Sequence, residues 1–284
     1  MYAITGATGQ LGRLVINALL RTTPPDRIVA AVRDPGRAAD LAERGVLVRE
    51  ADYERPDTLA QAFAGVERLL LVSSNALGRR VAQHRACIDA AAANGVGLLA
   101  YTSVLHADRS PLGLAAEHRE TEALLRASGI PWVLLRNGWY TENHMMGVPA
   151  ALAHGALLGA AGIGRIASAA RADYAEAAAA VLAGGDAAGR IHELAGDAGW
   201  TLPDLAHELS AQAGTPVAYR DLPEAGYEAA LLGAGLPPDL ARLIADSDAC
   251  AARGALDDDG RALSRLIGRP TTPLSASVAA ALQG

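Results

Sequence analysis

The sequence predicts an α/β protein, a doubly wound parallel sheet followed by a smaller, mostly helical C-terminal lobe. Three observations carry this expectation. Short β-rich runs alternate with longer helical runs through the first half of the chain, as right-handed βαβ crossovers require. The run Leu69-Leu70-Leu71-Val72 is apolar without alternation, which suits a strand covered on both faces. A glycine-rich turn separates the first strand from the first helix.

In chain order, strands are expected at residues 2–5, 28–32, 46–49, 69–73, 98–102 and 132–136. Helices are expected between them at 11–21, 36–44, 58–64, 79–93 and 115–127. The second half is less regular. Residues 155–164 are rich in Gly and Ala and read as a flexible segment. A helix is expected at 172–183, and a seventh strand at 191–195 returns to the main sheet. Thr201 reads as the N-cap of a helix over 202–213, since its hydroxyl can take an orphan backbone N–H. One more strand is expected at 217–219, and short helices follow. Residues 1–136 thus form a nucleotide-binding domain, rejoined by about 165–196, and residues 137–284 contain the smaller lobe.

The 284 residues are 51% apolar, enough to fill a sizeable core. Aromatics are only 4%, and Phe63 is the sole phenylalanine, so alanine must let helices pack closely. All 25 basic residues are arginine. The absence of lysine excludes a Schiff base, a Walker-type phosphate lysine and a Tyr-x-x-x-Lys pair. A net charge of −6 argues against a nucleic-acid partner, which asks for a basic face. Cys87 and Cys250 have no metal-ligand spacing and fit a reducing, cytoplasmic setting, with Cys87 buried as a small hydrophobe. No charged leader with a long apolar stretch opens the chain, and no window reaches 20 apolar residues. Neither a signal peptide, a membrane span nor a metal is therefore expected.

The strongest motif is Gly6-Ala7-Thr8-Gly9-Gln10-Leu11-Gly12. Glycine lets the backbone turn tightly and admits a pyrophosphate that a Cβ would exclude. The helix that follows presents free N–H groups and a partial positive charge to the anion. Gly12 lets that helix sit close on the strand. The spacing is G-x-x-G-x-x-G, and the plain alternative is a glycine-rich turn that binds nothing; the strand before it and helix after it favour a dinucleotide. Where the second strand ends, an acid would favour NAD. Here Arg33 stands there, followed by Asp34, and a guanidinium suits a 2′-phosphate, so NADPH is the expected cofactor. The alternative is an Arg33 that is solvated and paired with Asp34. Asp52 either approaches the adenine or is a loop acid.

Further segments carry a resemblance. They are Tyr101-Thr102-Ser103, Ser110 to Ala115, the run Arg136-Asn137-Gly138-Trp139-Tyr140-x-Glu142-Asn143, Arg171-Ala172-Asp173-Tyr174 and Glu193 to Asp197. With the glycine fingerprint they resemble the NmrA-like branch of the short-chain dehydrogenases/reductases, and within it the NAD(P)H:quinone oxidoreductase 2 family. The triphenylmethane dye reductases share the frame but match these segments less well. The resemblance implies a Rossmann-type fold, an NADPH-dependent reductase and a small-molecule quinone substrate, and leaves a homodimer open. It also implies a cofactor site lined by Gly6, Thr8, Gly9, Gln10, Leu11, Gly12, Arg33, Ser73, Ser74, Asn75, Asn137, Gly138, Trp139 and Tyr140. Ser73 to Asn75 stand where doubly wound sheets place ligands, at the carboxyl end of the fourth strand; the alternative is a polar strand-end turn.

The wider superfamily keeps a Ser after the fifth strand and a Tyr-x-x-x-Lys on the next helix. Ser103 matches the serine, but Leu114 and His118 stand in place of the pair. Quinones tolerate that loss, because holding the nicotinamide against the ring supplies much of the rate. Tyr140, Asn143 and His118 are the candidate catalytic residues, with Tyr101 and His106 behind them. Each has a structural alternative: Tyr140 and Trp139 as packing groups, and His118, among Glu117, Arg119 and Glu120, on a solvated helix face. His84 and His144 could also reach the cleft. The missing Tyr and Lys leave two other readings, an NADP(H)-sensing regulator without turnover and a reductase of another acceptor such as a dye.

Overall fold

The computed structural model describes every residue except Asp186 and Gly284. Its main sheet is built from β1 (Tyr2–Thr5), β2 (Ile28–Val32), β3 (Leu47–Glu50), β4 (Arg68–Leu71), β5 (Leu98–Val104) and β6 (Trp132–Asn137). Two further strands, β7 (Ala156–Gly159) and β9 (Ala218–Asp221), pair apart from it, while β8 (Arg190–Leu194) joins its edge. The order is β3-β2-β1-β4-β5-β6-β8, and every pairing is parallel. Ile4 stands beside Ala30 on one side and Leu70 on the other.

Burial explains why these runs are strands. All five residues of β2 and all seven of β5 are buried, so neither strand can show a polar face. Side chains alternate between two layers. Ile4, Leu70, Ala100 and Leu135 pack with the helices Gln10–Leu19 and Arg171–Ala183. Ala3, Leu71, Tyr101 and Leu134 pack on the other face with Leu59, Phe63, Ile88 and Leu125. Alanines 175, 177 and 178 are buried in the same cluster as Leu11, Val15 and Ile16 of the first helix, so small side chains line this layer. A third cluster forms the smaller lobe around Leu112, Val148, Leu157, Trp200, Leu205 and Leu256.

The expected strand near 191–195 is β8, which returns to pair with β6. Thr201 caps the helix Leu202–Ala213 in a full capping box, with the Asp204 N–H donating to its hydroxyl at 3.2 Å and the Thr201 N–H donating to the Asp204 carboxylate at 2.8 Å. The reading of 155–164 as a flexible segment is corrected. Its first part is β7, paired in parallel with β9. The glycines there serve close packing. A Cβ on Gly159 would lie 2.4 Å from Leu202 Cδ1 and 2.9 Å from an Asp248 carboxylate oxygen, and Gly155 ends the preceding helix with φ +62. Among the described residues, no helix is long and apolar enough to cross a membrane.

Asp248 lies buried on the helix Pro238–Ala251, where one carboxylate oxygen accepts the Ala160 N–H at 3.0 Å. Burial pushes its carboxyl up to about 6 from an ordinary 3.8. Between those values the folded chain holds a proton that the unfolded chain has released. Asp248 therefore costs stability as pH rises from about 4 to about 6, on the order of 2–3 kcal/mol. Urea unfolding of the wild type and Asp248→Asn at pH 4.5 and 7.5 should show the variant gaining on the wild type at the higher pH. Equal pH dependence would refute this account.

Candidate functional site

The order of the sheet reverses direction beside β1, which leaves a crevice at the carboxyl ends of β1 and β4. The glycine turn occupies one wall. Gly6 has φ +57, a left-handed conformation that a Cβ penalises. The Gly9 N–H donates to the Gly6 carbonyl at 2.8 Å, and Gly9 then opens the helix Gln10–Leu19 as its N-cap. No side chain caps that helix and no acid lies in its first turn. Its leading N–H groups are thus left for an external anion. A Cβ on Gly12 would fall 2.4 Å from the Gly6 carbonyl oxygen and 2.8 Å from the Ala7 Cα, so the helix can sit this close only with glycine there. Gly6, Gly9 and Gln10 are exposed and Thr8 is half-buried. The Leu11 side chain belongs to the core, leaving its backbone to the turn.

Arg33 follows β2 and is exposed, with no ion pair among the described residues. The alternative in which it pairs with Asp34 does not hold, because the Asp34 carboxylate instead accepts the Gly36 N–H at 3.0 Å. Asp52 is engaged locally, accepting the Glu54 N–H at 3.0 Å and lying 3.5 Å from Arg55. The opposite wall begins where β4 ends. The Val72 N–H donates to Thr5 Oγ1 at 3.0 Å and the Ser73 N–H to Thr102 Oγ1 at 2.8 Å. These two threonines carry β4 into the Ser73-Ser74-Asn75 segment, whose Asn75 is exposed.

At the end of β5, Ser103 donates to Glu122 at 2.7 Å. The same carboxylate takes a two-pronged contact from Arg136 on β6, at 2.9 and 2.8 Å. Arg136 also donates to Asp108 at 2.7 Å and to Glu193 of β8 at 2.8 Å. It is therefore a structural hub tying β6 and β8 to the helix Ala115–Ala127. The alternative of a solvated His118 does not hold, since the ring is buried and shares a 2.7 Å hydrogen bond with the Tyr101 hydroxyl. Burial pushes its imidazole down to about 3, so it is neutral. His106 has φ +53 and stands between Glu193 and Asp258, at the edge of a separate polar cavity of about 410 Å³ with Arg109 and Arg165.

The end of β6 gathers the remaining candidates. The Asn137 side chain is buried, and its Oδ1 has no partner among the described residues. Its Nδ2 donates to the Tyr140 hydroxyl at 3.4 Å. Burial raises the Tyr140 hydroxyl above its ordinary range, which keeps it protonated. Arg171 lies over the Tyr140 ring at 4.7 Å and donates to Asn143 Oδ1 at 3.2 Å. Gly138 serves packing, its N–H donating to the Leu194 carbonyl at 2.7 Å, and Trp139 packs on the smaller lobe. The geometry thus draws Asn137, Tyr140 and Asn143 together and leaves His118 behind β5. Sequence reasoning missed Arg171 as their shared neighbour, although the Arg171 to Tyr174 segment is one of those that carry the resemblance. His144 stacks edge-on against Trp200 at 5.0 Å, and its Nε2 is buried without a partner among the described residues.

This architecture is shared with known proteins. A family model described as NAD(P)H-binding matches residues 6–184. The chain is 56% identical to quinone oxidoreductase 2 of Escherichia coli (strain K12) over 278 residues, covering 98% of this chain and 97% of that protein. A crystal structure of the NADPH-dependent E. coli enzyme complexed with NADPH superposes with a TM-score of 0.98 and 55% identity, covering 99% of this chain and all of that one. Triphenylmethane reductase from Citrobacter sp., complexed with NADP(H), gives a TM-score of 0.95 at 36% identity, with 99% of this chain and all of that one covered. With its fingerprint turn, its reversed strand order and this likeness along nearly its whole length, the chain belongs to the NAD(P)H-binding, NmrA-like reductases, in their quinone oxidoreductase 2 family.

Proposed function

We propose that the chain is an NADPH-dependent oxidoreductase that reduces quinones by hydride transfer. The observation that carries this is the pairing of an uncapped, glycine-walled helix N-terminus with the unpaired Arg33 guanidinium at the end of the neighbouring strand. Likeness to a quinone oxidoreductase along nearly the whole chain supports it. Residues Gly6 to Gly12 would receive the diphosphate, Arg33 the 2′-phosphate and Ser73 to Asn75 and Asn137 to Tyr140 the remainder. The residues fit such a group. Adding a Cβ at Gly12 meets backbone, and the buried Asn137 Oδ1 is an acceptor awaiting a donor.

When bound, the nicotinamide supplies two electrons as hydride. The chain's own residues orient and exclude water. Tyr140 holds a proton on a neutral hydroxyl whose oxygen already accepts from Asn137, which leaves the hydrogen free to donate. Arg171 lies over the ring and is itself held by Asn143, whose Oδ1 accepts from its guanidinium. One proton from Tyr140 or water then completes the hydroquinone, balancing quinone, NADPH and H⁺ against hydroquinone and NADP⁺. The free, buried Cys87 and Cys250 support a cytoplasmic setting.

Mixing the protein with NADPH and a small naphthoquinone should consume cofactor absorbance well above background, and failure with every quinone would overturn the reading. A triphenylmethane dye in a parallel arm checks the acceptor suggested by the 36% relative. Arg33→Ala should raise the NADPH KM about tenfold, as one charge-assisted contact is lost, while leaving the NADH KM nearly unchanged. Equal losses with both cofactors would sink the 2′-phosphate assignment.

A further inference from the structure

The helix Arg80–Ala93 has a polar side that the reaction does not use. Arg80 and His84 are both buried, one helical turn apart, and converge on one residue of the β4 loop. Arg80 Nε donates to the Ser74 carbonyl at 2.6 Å. The Ser74 N–H donates to His84 Nε2 at 2.9 Å. Both backbone groups of Ser74 are therefore held from the same helix. Its hydroxyl is also engaged, donating to Gln83 Oε1 at 2.5 Å and accepting the Ala76 N–H at 3.1 Å.

A second helix backs this grip. Accepting at Nε2 obliges a neutral His84 to carry its hydrogen on Nδ1, which faces Thr121 Oγ1 at 3.0 Å. Thr121 passes its own hydrogen to the Glu117 carbonyl at 2.9 Å. The Glu117 carboxylate in turn accepts the Gly78 N–H at 2.9 Å and pairs with Arg80 at 3.2 Å. Burial, with the Arg80 charge nearby, pushes His84 down to about 3, so the acceptor nitrogen stays free of a proton throughout the working pH range.

We infer that Arg80 and His84 are positioning residues for the cofactor. They clamp the Ser74 peptide so that the β4 loop holds its shape at the sheet's crevice before any nucleotide arrives. This rests on the proposed NADPH site, because the loop matters to the reaction only as one of that site's walls. Pre-ordering moves the entropy of fixing the loop from the binding step to folding, so its loss appears in cofactor affinity. Hydride transfer itself involves none of these atoms, so turnover at saturating NADPH is spared.

The test compares His84→Leu, which fills the space but cannot accept, with His84→Gln, whose amide oxygen restores an acceptor. His84→Leu should raise both the NADPH KM and the directly titrated NADPH Kd about tenfold, with kcat within about twofold, and His84→Gln should recover most of the affinity. Equal KM values in the wild type and His84→Leu, or a loss confined to kcat, would overturn the clamp. Nitrogen-15 spectra of the wild-type histidines decide it even if both variants misfold. His84 should show a hydrogen on Nδ1 and an accepting Nε2 in the free protein, and the opposite tautomer would refute the assignment. If the wild type binds NADPH but reduces no quinone, the function falls while the titration and the spectra still judge the clamp.

Discussion

Gly12→Ala is expected to weaken NADPH binding about a hundredfold, on the order of 2.7 kcal/mol, and to cut quinone reduction at low NADPH in proportion. The added methyl would lie 2.4 Å from the Gly6 carbonyl oxygen and 2.8 Å from the Ala7 Cα. Both are backbone atoms of the turn, so no side chain can swing away to relieve the clash. The helix Gln10–Leu19 must move outward or the turn must open. Either change misplaces the N–H groups that the diphosphate needs. Overpacking of this kind typically costs about 1–3 kcal/mol in stability too, so a lower Tm should accompany the loss. Gly9→Ala provides the contrast. Its Cβ meets only the Gly6 carbonyl oxygen, at 3.1 Å, and a small adjustment suffices. Titration calorimetry of both variants would settle the order, and equal affinities for Gly12→Ala and wild type would contradict the geometry of the turn.

That turn was legible in the sequence because everything it needs is local. Gly6 and Gly9 lie between a strand and a helix and Gly12 in that helix's first turn, and their spacing in that context specifies the backbone. The sheet was legible for a similar reason, since β2 and the Leu69–Leu71 stretch of β4 are apolar in continuous runs that suit doubly covered strands. The lobe was harder. Residues 155–164 look mobile by composition, yet Gly159 is glycine because Leu202 and Asp248 press against it from far along the chain. Neither reading of His118, catalytic or solvated among its charged neighbours in sequence, foresaw that its neighbour in space is the Tyr101 hydroxyl. The grouping of Arg171 with Tyr140 and Asn143 joins residues about thirty positions apart, and no spacing rule announces it. What sequence reasoning captured was backbone chemistry, and what it missed was the choice of partners across the sheet.

Arg136 shows how much hangs on one such choice. Read as the start of the run leading to Asn143, it stands next to the candidate site, yet its guanidinium points into the protein. Its side chain is only 5% exposed and the Glu122 side chain 3%. Replacing it with methionine leaves Glu122 holding a charge that Ser103 and the half-exposed Arg126 serve only in part. Glu193 likewise keeps the His106 N–H at 2.8 Å but loses its own arginine contact. Removing one partner of a buried ion pair costs about 3–5 kcal/mol, so Arg136→Met should lower Tm by roughly 10 °C. The double variant Arg136→Met, Glu122→Gln should recover part of that loss, because the stranded charge is gone. Calorimetry on the single and double variants tests this directly. If the single variant melts with the wild type, the network contributes nothing net, and the joining of β6 and β8 must rest on their backbone pairing and apolar contacts alone. If instead NADPH affinity falls at unchanged Tm, Arg136 acts on the cofactor through the adjoining Asn137, and its place is in the site and not in the frame that carries it.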